Sequence, residues 1–78
     1  MPTILRVGPY RFFFYGNERG EPAHIHVRHD RALAKFWLQP LTLARSRHFA
    51  AQELAAIRRH IEDHIKEIEE AWNVHHGG

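Results

Sequence analysis

The segment from residue 21 to residue 27, EPAHIHV, constrains the fold of this chain more than any other. His24 and His26 are two positions apart, and the β-branched residues Ile25 and Val27 alternate with them. Successive residues of a β-strand point to opposite faces of a sheet. The pattern therefore predicts a strand whose two histidines share one face, while Ile25 and Val27 pack in a core on the other.

In the last third of the chain the apolar residues follow a different spacing. From residue 50 to residue 72 its large apolar residues recur every three or four positions, the spacing of an amphipathic helix. We expect Ser46 or a neighbour to cap the start of this helix. The predicted buried stripe consists of Leu54, Ile57, Ile61, Ile65, Ile68 and Trp72.

Strand-like segments fill the first half of the chain. Apolar residues 4–7 and aromatic residues 10–15 flank a Gly8-Pro9 turn, which predicts a hairpin, and a polar loop over residues 16–22 follows. Residues 33–38 form the strand after the histidine strand, and residues 41–43 are either a short strand or an extended connection. We predict one α+β domain over residues 1–78: an antiparallel meander of about four strands (residues 3–43), then one long C-terminal helix (about 50–74) packed on one sheet face.

Composition narrows the class of protein. The chain has 78 residues, enough for one small core, and no cysteine, which excludes disulfides and thiolate zinc sites. No apolar run is long enough to span a bilayer, and no signal peptide is visible at the N-terminus. These features fit a cytoplasmic protein without a membrane partner.

Charge is distributed unevenly along the chain. Residues 1–49 contain eight Lys or Arg and three Asp or Glu, whereas residues 50–78 contain three and six. A basic strand half joined to an acidic helix half favours a polyanion or an acidic protein as the partner of the first half. The alternative is the ordinary dipole of a small protein.

Strand alternation gathers basic and aromatic residues around the histidines. It predicts Arg28, Lys35 and Trp37 on the outer face with His24 and His26, where Trp37 could stack a base or be covered by a partner. Arg45 and Arg47 come just before the helix, where exposed N–H groups also favour phosphate, although a plain polar loop is the alternative. The run Phe12-Phe13-Phe14 must place a ring on the outer face, which favours a homo-oligomer or a bound partner there.

The histidine pair has three interpretations. With Arg28, Lys35 and Arg45 it contains the residue types of a ribonuclease-like site, which needs a base, an acid and cations for phosphorane charge. Alternatively, both histidines only hydrogen-bond neighbouring strands or loop carbonyls, or they bind a metal. Because two ligands on one strand are too few to hold zinc, we expect no metal and no cofactor. Any catalysis would then be acid–base chemistry centred on His26, with His24 and Lys35 assisting.

The segments at residues 2–15, 21–27 and 34–38 and the closing helix through Trp72 resemble a family of small bacterial proteins, domain of unknown function 4160. The resemblance implies a toxin-like protein whose partner is a small antitoxin-like protein encoded by an adjacent gene. It brings no catalytic assignment. The positions that carry the family pattern are Pro22, His24, His26, Lys35, Phe36, Trp37 and Leu43-Ala44-Arg45-Ser46.

Charge and resemblance together favour a toxin-like protein that acts on RNA or another nucleic acid. The alternative function is a non-enzymatic module that binds a small protein or DNA.

Overall fold

The structure is a computed structural model that describes residues 3–15 and 20–76. It contains an antiparallel sheet whose strands follow one another in chain order, as the sequence predicted, and two helices. The α+β class is thus confirmed, and the described residues form five strands rather than about four, with a divided helix. The elements are β1 (Thr3–Val7), β2 (Tyr10–Phe13), β3 (His24–His29), β4 (Ala32–Leu38), β5 (Leu41–Arg47), α1 (Ala51–Asp63) and α2 (Ile65–His75).

Turn residues set the strand register. Gly8 has a φ of 57°, a conformation that glycine adopts without strain, and the two-residue turn pairs Val7 with Tyr10. Asp30 also has a positive φ, of 55°, in the turn between β3 and β4. Strand β4 ends before Gln39-Pro40, as predicted. Residues 16–19 of the predicted polar loop lie outside the described part of the chain.

The helices cover one face of the sheet, and the core lies between the helices and the sheet. Ile25 pairs with Phe36, and Val27 pairs with both Phe12 and Ala34, so these residues share the helix-covered face. Every member of the predicted helix stripe is in the core or packs against it, which confirms the stripe. The buried cluster comprises Tyr10, Phe12, Phe14, Ile25, Val27, Ala34, Phe36, Leu38, Ile57, Ile61 and Ile68.

The segment before the helix differs from the prediction. Ser46 does not cap a helix, and Arg45 and Arg47 do not precede one directly, because β5 continues to Arg47. Alternation in residues 41–47 is hard to recognise because five of the seven are exposed or polar. The N-cap is Ala50, whose N–H donates to Glu53 Oε1 at 3.1 Å. That bond satisfies a backbone donor that the helix itself leaves unpaired.

The single long helix of the prediction is interrupted at His64. There φ is −119° and ψ is 21°, outside the helical range. The His64 side chain donates from Nδ1 to the carbonyl oxygen of His60 at 2.9 Å, the same oxygen that accepts the His64 backbone N–H. Local side-chain bonds of this kind compete with the helical ladder. No helix among residues 3–15 and 20–76 is long and apolar enough to cross a membrane.

Candidate functional site

The histidine face is the sheet face that carries His24 and His26. Across the β3–β4 ladder His24 pairs with Trp37 and His26 with Lys35, opposite in direction to core residues Ile25 and Val27. The predicted placement is therefore confirmed. However, the two histidines are only 0% and 3% exposed, so the expectation that they lie open on this face is wrong.

The chain itself covers the histidines. The Tyr15 ring lies 4.4 Å from the His26 ring, and Phe13 stacks on His26 at 5.6 Å between centroids. Phe13 is on the histidine face, as the run of three phenylalanines required, and it is fully buried. This internal cover removes the reason for expecting an oligomer or a bound partner over Phe13.

His24 has the contacts of a residue that stabilises the fold. Its Nδ1 lies 2.8 Å from the carbonyl oxygen of Pro22, and because a carbonyl only accepts, this nitrogen carries the proton and donates. Its ring lies 5.5 Å from that of Trp37 and 4.9 Å from that of Trp72. His24 thereby ties the loop before β3 to the C-terminal helix.

Lys35 is held by two neighbours. Its Nζ donates to Glu21 Oε1 at 2.6 Å and lies 4.5 Å from the centre of the Trp37 ring. The Lys35 side chain is only 11% exposed. Its charge is thus balanced by a carboxylate of the same chain, and Trp37 has a cation against its ring, which limits Trp37 as a platform for a stacked base.

A cavity of about 210 Å³ opens beside His26 on the β4–β5 side of the sheet. We call it the arginine cavity, after Arg45 and Arg47 in its wall. It brings together four of the predicted site residues, His26, Lys35, Arg45 and Arg47, and leaves out His24, Arg28 and Trp37. Its lining is Tyr15, His26, Leu33, Ala34, Lys35, Arg45, Ser46 and Arg47, with no carboxylate among these residues.

A β-bulge places Arg45 and Arg47 at this cavity. The ladder passes from Phe36↔Leu43 to Lys35↔Arg45, so Ala44 is an extra residue. Strict alternation would put Arg45 on the same face as Leu43, towards the helices. The bulge shifts the alternation by one residue and turns Arg45 and Arg47 to the histidine face.

Four arginines form a line across the histidine face, which we call the arginine row: Arg6, Arg11, Arg28 and Arg47. The ladder pairs Arg6 with Arg11 and Arg11 with Arg28, and Leu33 lies between Arg28 and Arg47. Sequence reasoning missed Arg6 and Arg11 as site residues. The signal was present, because a two-residue turn at Gly8-Pro9 sets these two arginines opposite each other.

The positive charge of the arginine row is not balanced by described carboxylates nearby. Arg11 Nε donates to Thr3 Oγ1 at 2.7 Å, and Arg28 Nε donates to the Asp30 carbonyl oxygen at 3.2 Å. Within residues 3–15 and 20–76, no carboxylate lies within ion-pair distance of any of the four, nor of Arg45. All five except Arg11 are exposed, and Arg11 is half-buried.

A second cavity, of about 350 Å³, lies at the helix break and has a mixed lining: Glu62, Asp63, His64, Ile65, Lys66 and Glu67. Among the described residues no group of three or more His, Asp or Glu side chains is arranged to hold a metal ion. The histidine face therefore holds the candidate site.

A family model described as Domain of unknown function (DUF4160) matches residues 10–73. The chain belongs to this family. The DUF4160 match includes every residue of the arginine cavity, whereas Arg6 of the arginine row lies outside it. A comparison with curated proteins found no match. A comparison with solved structures likewise found none.

Proposed function

We propose that the chain binds RNA or another nucleic acid along the arginine row, with one phosphate in the arginine cavity, as the toxin-like member of a bacterial toxin–antitoxin pair. The observation that carries this proposal is the arginine row itself. It directs four guanidinium groups to one sheet face without a described carboxylate partner.

Like charges directly opposite each other destabilise a sheet. Neighbouring strands are only about 4.8 Å apart, so the Arg6–Arg11 and Arg11–Arg28 pairs repel when no anion is bound. A bound phosphate backbone replaces this repulsion with attraction between guanidinium and phosphate. Each phosphate that is neutralised also releases condensed counterions, which favours binding further. Guanidinium groups suit the role, since they bind phosphate oxygens with two parallel hydrogen bonds.

The arginine cavity supplies the residue types for cleavage of an RNA strand without a metal. In this proposal His26 accepts the proton of the ribose 2′-hydroxyl, whose oxygen then attacks phosphorus. The 5′ oxygen leaves and takes a proton from Tyr15. We assign this role to Tyr15 rather than to His24 because Tyr15 lines the cavity and His24 does not. Arg45 and Arg47 stabilise the charge that develops on the phosphoryl oxygens.

The biological setting of the proposal comes from the family resemblance. A small antitoxin-like protein encoded by an adjacent gene would bind this chain in the cytoplasm and block its activity. Co-expression of the two proteins, with a growth assay of each alone and of both together, tests this part of the proposal. If expression of this chain alone leaves growth unchanged, the toxin assignment is wrong.

The test of nucleic-acid binding compares two pairs of arginines. Fluorescence anisotropy with a labelled single-stranded RNA of about twenty nucleotides measures the affinity. The double variant Arg45→Ala, Arg47→Ala should weaken binding by at least about tenfold. The matched control is Arg58→Ala, Arg59→Ala on exposed positions of α1, which should bind as the parent does. Equal weakening by both pairs would show that only net charge matters and would contradict the assigned site.

Catalysis is tested separately by incubating the RNA with the protein and resolving the products. Cleavage should persist in chelator and be lost in His26→Ala, with binding retained. If the purified protein leaves RNA intact while binding it, the alternative function is favoured: a non-enzymatic module that binds a small protein or DNA. The internal contacts of His24 and the Lys35–Glu21 ion pair support that alternative, because they assign two of the predicted site residues to stability.

A further inference from the structure

In the part of the chain that the structure describes, strand β5 is a sheet edge with no strand beyond it. The sheet order ends at β5, and no backbone hydrogen bond outside the β4–β5 ladder reaches Leu41–Arg47 among the described residues. Its seven residues make it longer than the other edge strand, the five-residue β1. An unpaired edge of this kind is a template for another strand.

Side chains along β5 differ between the two sheet faces. On the helix-covered face the edge carries Leu41 and Leu43, and Leu43 is 42% exposed, unusual for a large apolar residue of this chain. On the histidine face it carries Arg45 and Arg47, both exposed and without a described carboxylate partner. The edge is therefore apolar on one side and cationic on the other.

From this geometry we infer that the β5 edge binds an extended segment of a partner protein, which joins the sheet as a sixth strand with acidic side chains on the histidine face and apolar side chains on the other. Acidic residues next to Arg45 and Arg47 form favourable cross-strand pairs, and apolar residues cover Leu43. The inference does not depend on nucleic-acid binding.

A second copy of this chain fits the edge less well. Pairing two β5 strands brings a second Arg45 and Arg47 to the same continuous sheet face, and four arginines then lie close together without a described carboxylate partner for any of them. Like charges at such short distances are unfavourable. Charge complementarity thus selects an acidic segment over self-association.

The probe is a capped synthetic peptide of eight residues in which valine and glutamate alternate. It presents one apolar and one acidic face whether it docks parallel or antiparallel to β5. Hydrogen–deuterium exchange of the full chain should show slower exchange of backbone amides within residues 41–47 when the peptide is added, with the amides of β1 unchanged. Protection that is already present without peptide and that grows with protein concentration would overturn the inference in favour of a second copy.

Two methylated peptides test whether the contact is a β-ladder. Methylation of all valine amides removes the donors from one edge of the peptide, and methylation of all glutamate amides removes them from the other. Antiparallel pairing is the more stable direction, so the methylation that blocks the edge facing β5 in that direction should weaken binding more than the other methylation does. Equal binding by all three peptides would overturn the inference, because attraction between charges alone needs no amide.

A charge exchange tests the assignment of Arg45 and Arg47. Replacing glutamate by lysine in the peptide should abolish binding to the parent protein. The double variant Arg45→Glu, Arg47→Glu should reverse the preference and select the lysine peptide. The control Arg58→Glu, Arg59→Glu on α1 should keep the parent's preference for the glutamate peptide. An unchanged preference in the β5 variant would overturn the inference.

Discussion

Glu21 stabilises a nearly buried charge. Its carboxylate forms an ion pair with the Lys35 ammonium, at 2.6 Å, and Lys35 is 9% exposed as a residue. Glu21→Gln leaves that ammonium with a weaker acceptor in a poorly solvated position. We expect the free energy of unfolding to fall by about 1–2 kcal/mol, as for a hydrogen bond to a charged group. Urea denaturation measures the change.

The chain contains a matched control for this prediction. Glu62 and Arg58 form a longer pair, 3.8 Å, and both side chains are about half exposed. Exposed pairs contribute little, so Glu62→Gln should change the free energy of unfolding by less than about 0.5 kcal/mol. Similar losses in the two variants would contradict a special role for the Glu21–Lys35 pair.

Substitutions of His24 and of His26 should have different effects on the protein, because the surroundings of the two side chains differ. His24 is fully buried between Trp37 and Trp72, and His26 borders the arginine cavity. His24→Ala leaves an internal void and removes the bond to the Pro22 carbonyl, so we expect a loss of about 2–4 kcal/mol in unfolding free energy. Thermal and urea melts measure it, and a melt like that of the parent would contradict a structural role.

At the scale of elements, the helices are held by their apolar stripe. Ile61 is fully buried against the sheet in the middle of that stripe. Ile61→Ala should lower the free energy of unfolding by about 2–5 kcal/mol, a large part of the stability of a small domain. Circular dichroism during a thermal melt measures the effect. The neighbouring change Glu62→Ala, at an exposed position, should leave the melt nearly unchanged.

At the scale of the whole molecule, charge separates by face. The arginine row and Arg45 lie on the histidine face, whereas the acidic excess of residues 50–78 belongs to the helix layer. If these five arginines each neutralise a phosphate of single-stranded RNA, the logarithm of the binding constant should fall with the logarithm of salt concentration with a slope of about −3 to −4.

Removal of two of these arginines should make the salt dependence shallower. In the variant Arg45→Ala, Arg47→Ala we expect the slope to decrease in magnitude by about 1.4, the share of two phosphates. The control Arg58→Ala, Arg59→Ala should keep the slope of the parent protein. An affinity that does not change across the salt titration would exclude phosphate contacts.

Local sequence patterns by themselves determined much of the fold of this protein. Alternation at residues 24–27 placed the histidines opposite the core, and the three-to-four spacing after residue 50 identified the buried stripe, because both patterns depend only on the geometry of one element. The meander order followed from the succession of strand-like segments along the chain, joined by turns and one polar loop. These features are confirmed by the register and the core.

The tertiary structure decided the composition of the site. The bulge at Ala44 turned Arg45 and Arg47 to the histidine face, and nothing in the local sequence marks a one-residue shift that depends on pairing with β4. The burial of His26 depends on Tyr15, and that of His24 on Trp72, nearly fifty positions away. A sequence pattern predicts the sheet face to which a side chain points. What covers that face depends on distant segments, and only the complete packing brings them there.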